Sequence, residues 1–100
     1  MLLELRNSQP EDTFTLFALA KEYEKGGNID QALAYYLELK SVDPGYVGLY
    51  YHLGKLYELK QMYENAIVIY REGMGAARKA GDMHALGELN GARMQIDDED

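Results

Sequence analysis

The sequence repeats itself with a period of about 34 residues, and this period constrains the fold more than any other feature. The same spacing separates Ala32 from Ala66 and Tyr36 from Tyr70. When the chain is shifted against itself by this distance, further pairs of the same or similar type coincide: Pro10/Pro44, Phe17/Tyr51, Leu19/Leu53, Ala20/Gly54, Lys21/Lys55, Tyr23/Tyr57 and Glu24/Glu58. So many coincidences in one register are improbable in 100 residues. The chain therefore contains two copies of one structural unit.

The spacing of the apolar residues predicts a pair of α-helices in each unit. Apolar positions recur three or four residues apart, as on the buried face of an amphipathic helix. The predicted helices span approximately Glu11–Lys25, Ile29–Val42, Val47–Leu59 and Tyr63–Ala80. The inward-facing candidates in the first pair are Leu16, Leu19, Ala20, Tyr23, Leu33, Tyr36 and Leu37. One helix pair cannot bury its own apolar face, so the units are expected to stack.

Glycine and proline mark the ends of the predicted helices. Gly26-Gly27 follows the first helix, where glycine accepts a left-handed backbone, and Asp43-Pro44-Gly45 follows the second. Gln61 occupies the place of Gly27 in the second unit. If the turn is the same, Gln61 must adopt the left-handed conformation at a cost of about 1–2 kcal/mol.

These residues resemble the tetratricopeptide repeat family. The family pattern places a bulky residue, Leu, a small residue, Tyr, Gly, Ala, an aromatic residue and Pro at set positions within each repeat. The first unit matches at Leu16, Leu19, Ala20, Tyr23, Gly27, Ala32, Tyr36 and Pro44, and the second at Tyr50, Leu53, Gly54, Tyr57, Ala66 and Tyr70. The chain departs from the pattern at Leu39, where the family prefers a small residue and where we expect looser helix contact. Gly73, in the second unit, obeys the rule.

The resemblance implies an all-α fold, an α-α superhelix of helix-turn-helix pairs with right-handed stacking and a C-terminal solvating helix. Arg78 stands where a third Pro would fall, so the fourth helix is expected to continue to Gly81. Asp82 then begins a fifth helix, from Met83 to about Ile96, with Met83, Leu86, Leu89 and Ile96 as its apolar stripe. Gly73-Met74-Gly75 falls inside the fourth helix, where its small residues suggest close helix packing.

We expect a single domain over residues 1–100. It divides into an N-terminal stub (1–9), repeat 1 (13–46), repeat 2 (47–80), a capping helix (82–96) and an acidic tail (97–100). Leu2 and Leu5 in the stub are either the remnant of a preceding repeat helix or a short helix of a complete protein. The bacterial cytoplasm is the expected location, since no targeting signal is recognisable.

Composition excludes several classes of function. The chain has no cysteine, which rules out disulfides and thiolate chemistry, and its net charge of −7 disfavours nucleic acid and anionic membranes as partners. Its two histidines, His52 and His84, show no carboxylate or second histidine three or four residues away in a metal-like arrangement. No Gly-rich phosphate loop is present. We therefore expect a protein that is not an enzyme and has no cofactor or metal.

The resemblance implies a concave groove lined by the first helix of each pair. Phe17 and Tyr51 would form an aromatic shelf there, and Lys21 and Lys55 a pair of cations suited to a carboxylate of a peptide. The predicted groove residues are Phe14, Phe17, Lys21, Tyr51, His52, Lys55 and Glu58. Alternatively, each lysine pairs with a glutamate of its own helix, Phe14 packs on the stub, and His52 is buried and neutral.

Some family members clamp the C-terminal carboxylate of a chaperone with Lys and Asn side chains. This chain has Phe17 and Lys21 at the first helix's clamp positions and His52 at one on the second, and it has no third repeat. Binding to chaperone tails is therefore not expected. The leading hypothesis is a non-catalytic protein–protein interaction module that binds a peptide segment of a partner. The alternatives are a structural or self-association module that forms a homodimer, or a fragment of a longer array attached to an enzyme or regulator.

Overall fold

The computed structural model describes residues 12–97, which form five α-helices and no β-strand. The helices are α1 (Thr13–Lys25), α2 (Ile29–Val42), α3 (Gly48–Leu59), α4 (Tyr63–Ala80) and α5 (Met83–Ile96). The predicted all-α class is confirmed, as are the bounds of α2, α4 and α5. The N-terminal stub with Leu2 and Leu5, the residues Pro10 and Glu11, and the tail 98–100 lie outside the described residues.

Two helices begin slightly later than the sequence predicts. The α1 helix begins at Thr13 because Asp12 is its N-cap: the Asp12 side chain accepts a hydrogen bond of 2.9 Å from the backbone N–H of Phe14. This bond satisfies one of the amide groups that the first turn of a helix leaves without a partner. The α3 helix begins at Gly48, with Val47 in the N-cap position.

The first compact unit ends at Pro44 and contains α1 packed against α2. Its fully or nearly fully buried apolar side chains are Leu16, Leu19, Ala20, Ala32, Tyr36 and Leu39. The prediction that Leu37 faces inward is wrong, since its side chain is 38% exposed. Leu37 follows the buried Tyr36 directly, and successive residues of a helix point about 100° apart around its axis.

The second compact unit begins at Gly45 and contains α3, α4 and α5. The α4 helix packs against both α3 and α5, and α5 also contacts α3. Two glycines allow this close packing. A Cβ atom added to Gly54 would overlap the ring of Tyr70, lying 2.6 Å from its Cζ atom, and one added to Gly73 would lie 2.5 Å from Cβ of Tyr50. Gly75, in contrast, would place a Cβ atom in open space, so of the two glycines in Gly73-Met74-Gly75 the first serves close packing and the second does not.

The α5 helix covers part of the second unit with a small number of buried residues. Asp82 is its N-cap as predicted, and its side chain accepts a hydrogen bond of 3.0 Å from the backbone N–H of Ala85. The buried residues are Leu89 and Ala92, three positions apart and therefore on one face. The prediction that Met83 belongs to this face is wrong, since its side chain is 67% exposed.

Gln61 adopts the left-handed conformation that the repeat predicts. Its φ angle is 61°, and that of Gly27 is 82°. The hydrogen bonds of the two turns match as well: Asn28 N–H donates to the Tyr23 carbonyl, and Met62 N–H to the Tyr57 carbonyl, both at 2.9 Å. Both helices therefore end in the same turn, although only one of them has glycine there.

We expect Gln61→Gly to raise the free energy of unfolding by about 0.5–1 kcal/mol. The free energy gained by releasing the left-handed strain is larger than the entropic cost of ordering glycine, which has more conformational freedom in the unfolded chain. Urea unfolding followed by circular dichroism measures the change. The corresponding substitution in the other turn, Gly27→Ala, should lower the free energy of unfolding by about 1 kcal/mol. A Cβ atom there meets no neighbour, so the cost comes from the backbone conformation alone. A lower stability for Gln61→Gly would contradict the strain argument.

Candidate functional site

On α1, a lysine is held over an aromatic ring. The Lys21 Nζ atom lies 5.8 Å from the centroid of the Phe17 ring, which is a favourable cation–π distance. The spacing of four residues brings the two side chains to the same face of the helix. Phe17 in turn contacts the buried Tyr36 of α2 edge-on, with ring centroids 6.1 Å apart. Phe14, one turn earlier, is 69% exposed.

On α3, the same arrangement occurs with tyrosine as the aromatic residue. The Lys55 Nζ atom lies 5.4 Å from the centroid of the Tyr51 ring and 3.6 Å from Oε2 of Glu58. His52 is half-buried and meets the Tyr51 ring edge-on, at a centroid distance of 6.4 Å. The alternative in which Lys55 pairs with Glu58 is therefore seen, and it coexists with the aromatic contact.

Each helix pair is joined by a hydrogen bond from a buried tyrosine to a glutamate. The Tyr36 hydroxyl donates to Oε1 of Glu24 at 2.6 Å, and the Tyr70 hydroxyl donates to Oε2 of Glu58. Both tyrosine side chains are fully buried, so their hydroxyl groups require a partner. Glu58 was predicted only as a groove residue. Its carboxylate in fact connects α3 to α4.

The sequence contains a pattern that indicates these tyrosine–glutamate hydrogen bonds, although they were not predicted from it. Glu24 and Tyr36 are twelve residues apart, as are Glu58 and Tyr70, and both types recur in the register of the repeat. A charged residue and a buried tyrosine that repeat together indicate a contact between them. Within each unit, the structure thus joins the aromatic residue, the lysine, the glutamate and the tyrosine into one cluster.

The surroundings of Tyr70 raise the pKa of its hydroxyl group well above the ordinary value. The largest cause is burial, followed by the hydrogen bond to Glu58 and the negative charge of that carboxylate. The neutral hydroxyl is therefore the form that the folded protein favours. Because the pKa is raised on folding, this contribution to stability is complete below the unfolded pKa of about 10 and is lost as the pH rises above it.

We expect Tyr70→Phe to lower the free energy of unfolding by about 1 kcal/mol at pH 7, because the Glu58 hydrogen bond is lost. The difference in unfolding free energy between wild type and variant should shrink between pH 9 and pH 11. Over this range the wild type loses stability because its Tyr70 hydroxyl must stay protonated in the folded state, whereas the variant has no such hydroxyl. Tyr63→Phe, on the exposed part of the same helix, is the matched control and should behave as wild type. Urea unfolding at several pH values tests this, and a constant difference across the pH range would contradict it.

The expectation about the histidines requires one correction. Glu88 lies four residues after His84, and the His84 Nε2 and Glu88 Oε2 atoms are 3.4 Å apart. Both side chains are strongly exposed, and the pair supplies only two ligands. No group of three His, Cys, Asp or Glu residues within 12–97 is arranged to hold a metal ion.

Within residues 12–97, none of the helices has the length and the apolar character that a membrane span requires.

Comparison with known proteins decides the family. The sequence model of the tetratricopeptide repeat matches residues 15–46 and 47–79, which together exceed half of the chain. The chain belongs to the tetratricopeptide repeat family. A curated relative is the TPR repeat-containing protein YpiA of Bacillus subtilis (strain 168), 35% identical over 63 residues. That match covers 63% of this chain but only 15% of the relative.

Solved structures agree with the fold over most of the chain. The tetratricopeptide repeat domain protein of Salinibacter ruber has a solution NMR structure with 44% identity and a TM-score of 0.84, covering 92% of this chain and 93% of that one. A crystal structure of the domain from the same organism gives 45% identity, a TM-score of 0.83, and coverage of 87% and 98%. The crystal structure of YrrB is 15% identical with a TM-score of 0.67, covers 96% of this chain and 57% of its own, and supports the fold alone.

The family assignment supports a coarse statement of function. Tetratricopeptide repeat proteins generally act as protein-interaction modules without catalytic activity of their own. The binding roles of Phe14, Phe17, Lys21, Tyr51, His52, Lys55 and Glu58 stay predictions.

Proposed function

We propose that this chain is a non-catalytic protein-interaction module that binds a peptide segment of a partner protein, and that the lysine and aromatic side chains of α1 and those of α3 each contribute to binding. The observation that carries the proposal is the lysine held over an aromatic ring on each of these helices. Aromatic side chains supply contact area at low entropic cost and are enriched among the residues that dominate binding energy. YrrB, which shares the fold, is described as a protein with an unusual peptide-binding site.

The charges on α3 favour a particular kind of peptide. The Lys55 ammonium group is 3.6 Å from the Glu58 carboxylate, so part of its charge is already neutralised. An isolated carboxylate therefore gains less at Lys55 than it would from an unpaired cation. A segment with an apolar side chain for the ring of Tyr51 and a backbone carbonyl for Lys55 suits this surface better.

Peptide selection from a displayed library, followed by calorimetry on the selected peptide, tests the proposal. The test variant is Phe17→Ala/Tyr51→Ala/Lys55→Ala. The matched control is Leu37→Ala/Tyr63→Ala/Lys79→Ala, which removes an apolar, a tyrosine and a lysine side chain from other exposed positions. We expect the test variant to bind at least about tenfold more weakly, which corresponds to about 1.4 kcal/mol, and the control to bind as wild type.

Circular dichroism must show that both variants are folded, because Phe17 contacts the core residue Tyr36. If the triple variant unfolds, Tyr51→Ala/Lys55→Ala replaces it. Equal affinity of the test and control variants would reject Phe17, Tyr51 and Lys55 as binding residues. Light scattering on the wild type addresses the alternative of self-association, and a stable dimer that excludes the peptide would favour that alternative. The cytoplasmic location stays a prediction.

A further inference from the structure

Three of the four arginines in the sequence line one shallow depression of the second unit. The depression has a volume of about 280 Å³ and lies between α4 and α5, lined by Arg71, Met74, Arg78 and Arg93. Residues 71, 74 and 78 are spaced three and four apart and therefore lie on one face of α4. We call this depression the arginine cleft. Its positive charge contrasts with the net charge of −7 of the whole chain.

Two of the arginines of the cleft, Arg71 and Arg93, bind one carboxylate, that of Asp97. Its Oδ2 atom lies 2.6 Å from Nη2 of Arg71 and 3.0 Å from Nη1 of Arg93. The second terminal nitrogen of Arg93 donates to the side-chain oxygen of Asn90 at 3.0 Å. The two guanidinium groups thus converge on one carboxylate oxygen, an arrangement in which the planar donors of arginine are effective.

One arginine of the cleft forms no ion pair with a carboxylate of residues 12–97. The Asp97 carboxylate pairs with Arg71 and Arg93, whereas within residues 12–97 no carboxylate forms an ion pair with Arg78. Arg71 also retains access to solvent, with its side chain 53% exposed. Met74 is half-buried and provides a flexible apolar surface beside the guanidinium groups. A carboxylate on an aliphatic stem fits both parts of this lining.

We propose that the arginine cleft is a second binding site, which takes a glutamate or aspartate side chain of an acidic peptide segment of a partner. Arg71 and Arg78 contact the incoming carboxylate, while Asp97 acts as an internal competitor for Arg71 and Arg93. The volume suits one or two side chains, since pockets for drug-sized ligands begin at about 300 Å³. The site is built from α4 and α5, whereas the lysine–aromatic contacts belong to α1 and α3, so the two proposals stand or fall separately.

Fluorescence anisotropy with a labelled hexaglutamate peptide tests the cleft, with labelled hexaglutamine as the uncharged control. We compare Arg78→Gln with Lys79→Gln, because the two substitutions remove the same charge from neighbouring positions and only Arg78 lines the cleft. At low salt we expect Arg78→Gln to weaken hexaglutamate binding about threefold to fivefold, as for one partly exposed charge pair, and Lys79→Gln to leave it unchanged. Binding should weaken as salt is raised, since the contacts are partly exposed.

Asp97→Asn provides an independent measurement. Removing the internal carboxylate should strengthen hexaglutamate binding about threefold, because Arg71 and Arg93 then lack their competitor. Three outcomes would overturn the proposal: no binding of hexaglutamate to the wild type at millimolar concentration, equal weakening by Arg78→Gln and Lys79→Gln, or unchanged binding by a folded Asp97→Asn variant. Inorganic phosphate that binds as tightly as hexaglutamate, and with the same dependence on Arg78, would also overturn the peptide assignment.

Discussion

Gly73→Ala is expected to lower the free energy of unfolding by about 1–3 kcal/mol, although alanine is the better helix former. The added Cβ atom would lie 2.5 Å from Cβ and 2.8 Å from Cγ of Tyr50, and 3.1 Å from Cδ1 of Leu89. Real Cβ atoms do not approach other atoms so closely, so a neighbour must move. The Cβ atom of Tyr50 is fixed to the α3 backbone, and its displacement requires α3 and α4 to separate.

The control for this prediction lies two positions along the same helix. Gly75 is also within α4, but a Cβ atom added there meets nothing within 4 Å. Gly75→Ala should therefore raise stability by about 0.5–1 kcal/mol, since only the lower helix propensity of glycine is removed. Urea unfolding of both variants measures the two effects with opposite signs. If Gly73→Ala were as stable as Gly75→Ala, the helices would not be packed at the distance that the structure shows.

Leu89→Ala is expected to lower the free energy of unfolding by about 2–5 kcal/mol, the range found when a buried leucine is truncated to alanine. Leu89 is only 1% exposed and is the one large side chain that α5 buries fully within the described residues. The remaining buried residue of this helix is Ala92, which contributes little apolar area. Loss of Leu89 therefore removes the largest buried apolar side chain that attaches α5 to the rest of the second unit.

Met83→Ala is the matched control, since Met83 lies on the same helix with its side chain 67% exposed. Its effect should stay within about 0.5 kcal/mol, as for other surface substitutions. Hydrogen exchange adds a local readout. In Leu89→Ala the amides of α5 should exchange faster than those of α3 and α4, because the attachment of α5 is weakened most. Equal destabilisation by the two substitutions would contradict the assignment of Leu89 as the anchor of α5.

The helices were predictable because their determinants are local. Each determinant acts on the backbone within a few positions of itself. These determinants are the apolar residues at helical spacing, the glycines of the turns, Pro44 and the cap residue Asp82. The left-handed Gln61 was also predictable, because the repeat transfers the known behaviour of one turn to the other. The errors, Leu37 and Met83, concern which side of a helix is buried, and this depends on the neighbouring helix rather than on the residue alone.

The candidate site was predictable only in part. The sequence placed lysine and aromatic side chains four residues apart, which suffices for the contacts of Lys21 with Phe17 and of Lys55 with Tyr51. It did not show that the Glu58 carboxylate would be shared between Lys55 and Tyr70. That arrangement requires α3 and α4 to be packed, because the glutamate and the tyrosine belong to different helices.

The sequence by itself determined the period, the family, the helices and the left-handed turns. Each of these follows from the order of residue types along a short stretch or from its recurrence one repeat later. Only the tertiary structure decided that the Tyr70 ring packs against Gly54, that Leu89 anchors α5, and that the Asp97 carboxylate binds both Arg71 and Arg93. These contacts bring together residues of different helices that are far apart in the sequence. Their formation depends on the distances between packed helices, which no local pattern of residues specifies.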